Sequence, residues 1–179
     1  MSKKSTIYMV QAAVIAALYA VFTILQNTLL PGSASLPVQF RISEVLTILA
    51  IYTPAAIPGL TIGCMIANIS SLSALGPYDM IFGTLASFLA AFMMYQLRNM
   101  RMFSLPILSA LMPALANGII VGLEIEIFFI EGSFHIGSFL IQGGLVAVGE
   151  LAVLLVLGLP LARLIEKQGL DKKFLIDKK

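Results

Sequence analysis

Charged side chains are scarce in this 179-residue chain: Asp, Glu, Lys and Arg make up 11% of it, against roughly 25% in soluble proteins. So few charges cannot cover a water-soluble globule of this size. Cysteine is nearly absent. Cys64 stands alone, which excludes an internal disulfide and a cysteine-based metal site, and its apolar surroundings make it a small packing residue. His135, the one histidine, falls in a short loop and reads as solvated. No lysine follows a glycine-rich loop, so a phosphate-binding P-loop is missing. No nucleophile–base or metal-ligand constellation supports an enzyme.

What is present is hydrophobicity. Apolar residues reach 59%, against roughly 45–50% in soluble chains. Such a composition fits lipid, where the outer face is apolar and the backbone must bond to itself. A spanning helix needs about 20 apolar residues, within a range of about 17–25. The chain divides into six apolar stretches: 7–29, 42–57, 58–75, 78–97, 105–130 and 136–164. The first is longer than the roughly 7–15 residues of a signal-peptide core, so it reads as a retained span. The expectation is an all-α membrane protein. It is a single domain over residues 1–179, a bundle of six transmembrane helices with both termini cytoplasmic.

Loops are expected at Leu30–Gln39, with Gly32 and Pro37, at Gly76-Pro77, at Arg98–Arg101 and at Glu131–His135. From Glu166 the tail is polar. The second and third stretches are divided at Pro54–Pro58, and one kinked helix there would give five spans instead. The basic residues favour six. Lys3, Lys4, Arg98, Arg101, Arg163, Lys167, Lys172, Lys173, Lys178 and Lys179 then all lie inside, and Arg41 alone lies outside.

Polar residues within the stretches carry the functional signal, because an ionisable group at mid-membrane costs at least about 2.5–3.5 kcal/mol. Arg41, Glu44 and Asp79 stand at outer ends. At about 1.5 Å per residue, Asn68, Glu124 and Gln142 lie about 9–10 Å deep, and Asn117 and Glu150 about 20 Å deep. Asn117 and Glu124 share one helix face, as do Gly143, Ala147 and Glu150. That small-residue face allows close approach of a helix or a ligand. Arg41 and Glu44, three apart, also suit a plain ion pair, and Asn117 and Glu150 suit bonds between helices. Glu124 has no basic residue at its depth and points to function. Glu126 lies on another face, and Glu131 reads as solvated. Together these residues make a polar cup open to the outside, suited to a polar, uncharged or cationic ligand rich in hydrogen-bond donors. No polar ladder reaches the cytoplasmic side, which argues against a channel. On the first helix, Ala12, Ala13, Ala16, Ala17 and Ala20 form overlapping small-xxx-small faces for close contact, either internal or with another protein.

The stretch VQFRISEVLTILAIYTPAAIPGLTIGCMIANI (Val38–Ile69) resembles the second and third helices of the queuosine-precursor transporter (QueT) family. LGPYDMIFGTLAS (Leu75–Ser87), NGIIVGLEI (Asn117–Ile125) and VGELAVLLVLGLPL (Val148–Leu161) are similar as well. Members are substrate-binding S-components of energy-coupling factor (ECF) transporters in the bacterial cytoplasmic membrane. The resemblance implies a six-helix subunit that uses no cofactor and has no ATPase of its own. It takes a nutrient from outside and docks on a scaffold membrane protein and two ATPases through small first-helix residues, here Ala13, Ala16, Ala17 and Ala20. It then topples in the bilayer to release the nutrient inside. The implied ligand is a 7-deazaguanine such as prequeuosine or queuine. That ligand suits the candidate site read from the polar residues and the rim, which comprises Arg41, Glu44, Asn68, Tyr78, Asp79, Asn117, Glu124, Gln142 and Glu150. In it a carboxylate would accept the guanine-like edge, a second would meet the aminomethyl arm, and Arg41 or an amide would meet the ring carbonyl. Tyr78 would stack on the ring or anchor at the interface. Two other readings remain: an S-component for another vitamin, and a small self-contained secondary transporter, which would show matching halves.

Overall fold

The computed structural model describes residues 2–31, 33, 38–70 and 72–173. The loop residues Gly32 and Pro37 and the tail beyond Lys173, with Lys178 and Lys179, lie outside the described residues. Helices account for the fold: α1 (Lys3–Leu29), a 3₁₀ helix (Ile42–Ile51), α2 (Ala56–Ile69), α3 (Leu72–Gln96), α4 (Ile107–Ala110), α5 (Met112–Phe128), α6 (Ile136–Val153), a π segment (Leu154–Gly158), α7 (Leu159–Lys167) and α8 (Leu170–Lys173). Among the described residues there is no strand, only an isolated bridge between Met102 and Leu105. The all-α expectation holds. Four helical stretches, Lys3–Leu29, Gly76–Gln96, Ile107–Phe128 and Ile136–Lys167, are long and apolar enough to cross a bilayer. The other two apolar helices, Ile42–Ile51 and Ala56–Ile69, are shorter.

Burial is inverted relative to a soluble protein. Ala16, Ala20, Ala67, Ala86, Ala90 and Ala91 are inside, whereas Val10, Val14, Leu115, Ile119, Leu140 and Val156 are exposed. Large apolar side chains face outward because lipid solvates them, and small ones let the helices close on each other.

The second apolar stretch departs from expectation in its winding. A 3₁₀ helix rises about 2.0 Å per residue, so ten residues reach about 20 Å, where an α-helix would need about 13. Its neighbours fix its direction. The Ile42 N–H donates to Gln26 Oε1 at 2.8 Å, the Tyr19 hydroxyl donates to Glu44, and the Thr53 hydroxyl donates to Gln11 Oε1 at 3.1 Å. The helix therefore runs antiparallel to α1. Next, α2 runs back along α1: a Cβ on Gly59 would lie 2.8 Å from the Ala12 carbonyl oxygen, and one on Gly63 would lie 2.8 Å from that of Ala16. The chain thus reverses between Ile51 and Ala56 rather than kinking through Pro54 and Pro58.

Local chemistry explains the remaining breaks. Gly76 has φ +69°, open to glycine, and Pro77 restarts α3 behind it. Pro113 sits in the first turn of α5, where its missing N–H matters least. Pro160 cannot return an N–H to the turn before it, and the helix adjusts through the π segment.

The two ends of the bundle differ. At one end the Tyr52 hydroxyl donates to Glu166 Oε1 at 2.9 Å and Arg101 pairs with the same oxygen at 2.7 Å. That bond to Glu166 raises the Arg101 pKa above its ordinary value. At the other end Tyr78 stacks on Phe128 with centroids 4.0 Å apart.

Candidate functional site

The 3₁₀ helix brings Arg41 and Glu44 to the centre of the bundle. Three residues per turn places Arg41, Glu44 and Thr47 in one line, and the Thr47 hydroxyl donates to the Glu44 carbonyl at 2.6 Å. Arg41, Glu44, Asn68, Asp79, Asn117, Glu124 and Glu150 are all buried, none more than 8% exposed. Arg41 interacts electrostatically with Glu44 and Asp79, and its charge also reaches Glu124 and Glu150. Glu44 and Glu150 act on each other, as do Asp79 and Glu124. Carboxylates from the 3₁₀ helix, α3, α5 and α6 thus lie within electrostatic reach of one guanidinium.

The plain ion pair of Arg41 with Glu44 is not formed among the described residues. Glu44 Oε1 accepts from the Tyr19 hydroxyl instead. Arg41 Nη1 lies 3.9 Å from Cys64 Sγ. Asn68 Nδ2 donates to the Asp79 backbone oxygen at 2.9 Å and lies 3.6 Å from the same sulfur. Room for that amide comes from Gly83, where a Cβ would sit 2.7 Å from Asn68 Nδ2.

Several buried polar atoms have no hydrogen-bond partner among the described residues: Arg41 Nε, Glu44 Oε2, Glu124 Oε2 and Glu150 Oε2 in this cluster, and Asn117 Nδ2 on α5. Native interiors leave few such groups, and each costs about 1–3 kcal/mol. Such atoms can accept donors at the carboxylates and offer donors from Arg41 and Asn117, chemistry that suits a polar group, neutral or cationic because the acids outnumber the base. Among the described residues no cluster of His, Cys, Asp and Glu is arranged to hold a metal ion.

The other expected residues fall less centrally. Gln142 is half-buried on α6, and among the described residues no hydrogen bond ties it to the cluster. Tyr78 is exposed at the rim, and Phe128 covers one face of its ring. Asn117 and Glu150 do not bond each other, since Asn117 Nδ2 and Glu150 Oε2 are both unpartnered. The Gly143–Ala147 face is filled by a helix, not a ligand: a Cβ on Gly143 would lie 2.4 Å from the Gly118 carbonyl oxygen. Glu126 turns away and accepts from the His135 N–H at 2.9 Å, at the start of α6. The alanines of α1 divide. Ala13 and Ala17 are exposed and, with Ala12, Ala16, Pro58 and Ile62, line an outward groove between α1 and α2. Ala20 is buried and lies off that groove.

Three residues of the site lie outside the sequence-based expectation. Tyr19 is fully buried and holds Glu44. Its signal was the polar series Tyr19, Thr23 and Gln26, at helical spacing on one face of α1. Thr23 bonds Ser43 at 2.6 Å, and Gln26 bonds both the Phe40 carbonyl and the Ile42 N–H. Gln39 is the second: its backbone lies against Gly149, where a Cβ would come within 2.2 Å of its carbonyl oxygen. Cys64, expected only to pack, is the third.

The family model described as QueT transporter matches residues 9–167. A Lactococcus lactis subsp. cremoris protein named queuosine precursor transporter QueT is 37% identical over 90 residues, which cover 49% of this chain and 48% of that protein. The chain thus spans about half the length of that curated relative. No solved structure matches the chain.

Proposed function

Because the chain belongs to the QueT transporter family, we propose that it is the substrate-binding membrane subunit of an ATP-driven ECF importer, taking up a 7-deazaguanine precursor of queuosine. The observation that carries this reading is the buried cluster of Arg41 with Glu44, Asp79, Glu124 and Glu150, several of whose polar atoms are unpartnered. A guanine-like edge presents a ring N–H beside an amine, and one carboxylate accepts both in a charge-assisted pair. Glu124 fits that role, since Glu44 has one oxygen committed to Tyr19. Arg41 Nε is left to meet the ring carbonyl. The name of the Lactococcus relative supports the substrate.

In this reading six segments cross the bacterial cytoplasmic membrane, and both termini are cytoplasmic. The reversal between Ile51 and Ala56 supports two short crossings in place of one kinked helix. Tyr52, Arg101 and Glu166 meet at one end of the bundle, and the basic residues Lys3, Lys4, Arg98, Arg163 and Lys167 belong to that end. The scaffold subunit, carrying the two ATPases, docks in the α1–α2 groove through Ala13 and Ala17.

Calorimetry on the detergent-purified protein tests the ligand: an aminomethyl 7-deazaguanine should bind without ATP or partners, and riboflavin, thiamin and folate should not. The pair Ala13→Leu with Ala17→Leu should abolish uptake by cells and leave this binding intact. Loss of binding and uptake together would make the alanines internal packing residues. Uptake by the protein alone in liposomes would replace the ATP-driven reading with a secondary transporter.

A further inference from the structure

The carboxylates of the site are not equivalent, and their partners sort them. Glu44 is 1% exposed and Glu150 is 3% exposed. They come from different elements, the 3₁₀ helix and α6, which meet where the Gln39 backbone packs on Gly149, and Glu150 lies within electrostatic reach of Glu44. Each keeps one buried oxygen without a partner, Glu44 Oε2 and Glu150 Oε2. Tyr19 is bound to the other oxygen of Glu44 and fixes its orientation. Among the described residues Arg41 is the base whose charge reaches them, and Asp79 and Glu124 share it. Two buried carboxylates beside one shared guanidinium leave open acceptors, a combination that an added ammonium completes. The Gln39 backbone passes over α6 at Gly149, beside Glu150, so tightly that a Cβ there would touch it.

We propose that Glu44 and Glu150 together form a subsite for the protonated amine arm of the ligand, which makes the protein select 7-deazaguanines with a cationic arm over those with a neutral one. This deepens the reading of the site as a 7-deazaguanine site and rests on it. An ammonium brings three donors and no acceptor, so it serves Glu44 Oε2 and Glu150 Oε2 at once. A nitrile arm of similar length is neutral and ends in a lone pair. Facing two carboxylates, it gains no hydrogen bond and is repelled, which is discrimination by an unfavourable contact as well as a favourable one. Glu124 is left for the ring edge, which both ligands share.

The test is calorimetry on the purified full chain with two probes, the aminomethyl and the nitrile 7-deazaguanine, on the parent, Glu150→Gln and Glu44→Gln. The parent should bind the amine at least tenfold more tightly than the nitrile. Each substitution should bring that ratio close to one, mainly by weakening the amine. Nitrile binding by the same variant shows that its site is still folded. Equal affinity of the parent for the two bases would overturn the charged-arm subsite and leave the 7-deazaguanine reading standing. A ratio that survives in both variants would also overturn it, by placing the arm elsewhere. Failure of the parent to bind either base would overturn the functional reading and this inference with it.

Discussion

At the scale of single residues, Glu124 is the most exacting position. It is 1% exposed on α5, with a buried oxygen that has no partner among the described residues. A buried ionised carboxylate is tolerated only where something completes it. Glu124→Gln keeps the shape and one acceptor but loses the charge and half of any bidentate pair. A hydrogen bond to a charged group is worth roughly 1.5–3 kcal/mol, and about 1.4 kcal/mol is one decade in affinity. The expected outcome by calorimetry is a loss of tenfold or more in affinity for the 7-deazaguanine. Glu131→Gln, on an exposed loop, should bind like the parent. Residues of this kind were legible in the sequence because charge within an apolar run is costly and therefore conspicuous. Arg41, Glu44, Asp79, Glu124 and Glu150 all announced themselves in that way. Tyr19, Gln39 and Cys64 did not. A tyrosine or a cysteine in an apolar helix costs little, so its presence asks for no reason until a partner such as Glu44 or Arg41 is seen beside it.

At the scale of elements, the α5–α6 contact holds Glu124 and Glu150 at their separation. Gly118 and Gly122 of α5 meet Gly143 of α6 backbone to backbone, and a Cβ on Gly143 would lie 2.4 Å from the Gly118 oxygen and 3.3 Å from its carbonyl carbon. Backbone cannot turn aside as a flexible side chain would. Gly143→Val should therefore part the helices, lower stability by about 1–3 kcal/mol or more, and weaken ligand binding with it. Gly144→Ala, inside α6 where nothing lies within 4 Å of the added atom, should unfold at or somewhat above the parent temperature. The chain has no tryptophan, but its buried lone Cys64 provides a reporter: a thiol-reactive dye gains fluorescence as heating uncovers it. The small-residue face of α6 was readable from Gly143, Ala147 and Glu150, though not the identity of the surface against it. The 3₁₀ winding of Ile42–Ile51 was not readable. Seven of its ten residues are buried, and a segment that is apolar nearly all round carries no stripe from which its period can be taken.

At the scale of the whole molecule, topology decides whether the polar cluster opens outward. Replace Cys64 with Ala and place single cysteines in turn at Ser2, Ser33, Asn99, Ser133 and Lys172. An impermeant thiol reagent on intact cells should label Ser33→Cys and Ser133→Cys and leave the other three unlabelled until the membrane is permeabilised. The informative contrast is with five spans. If residues 42–75 made one crossing and the N-terminus were outside, Asn99 and Lys172 would still be inside, and basic residues alone would misplace only Lys3 and Lys4. Ser2 and Ser33 separate the two arrangements, because each exchanges sides. The packing around α1 speaks against one continuous kinked crossing over 42–75. Gln26, Tyr19 and Gln11 meet Ile42, Glu44 and Thr53 in that order, and Ala12 and Ala16 then meet Gly59 and Gly63. That pattern needs the chain to go down and come back beside α1, over the length from Gln11 to Gln26, about 22 Å at 1.5 Å per residue. Such a length is below the roughly 30 Å of a bilayer core, so the membrane must thin locally or the polar ends must reach into it. Labelling of Ser2→Cys from outside, with Ser33→Cys protected, would reverse the orientation of α1, and Arg41 and Glu44 would then open to the cytoplasm.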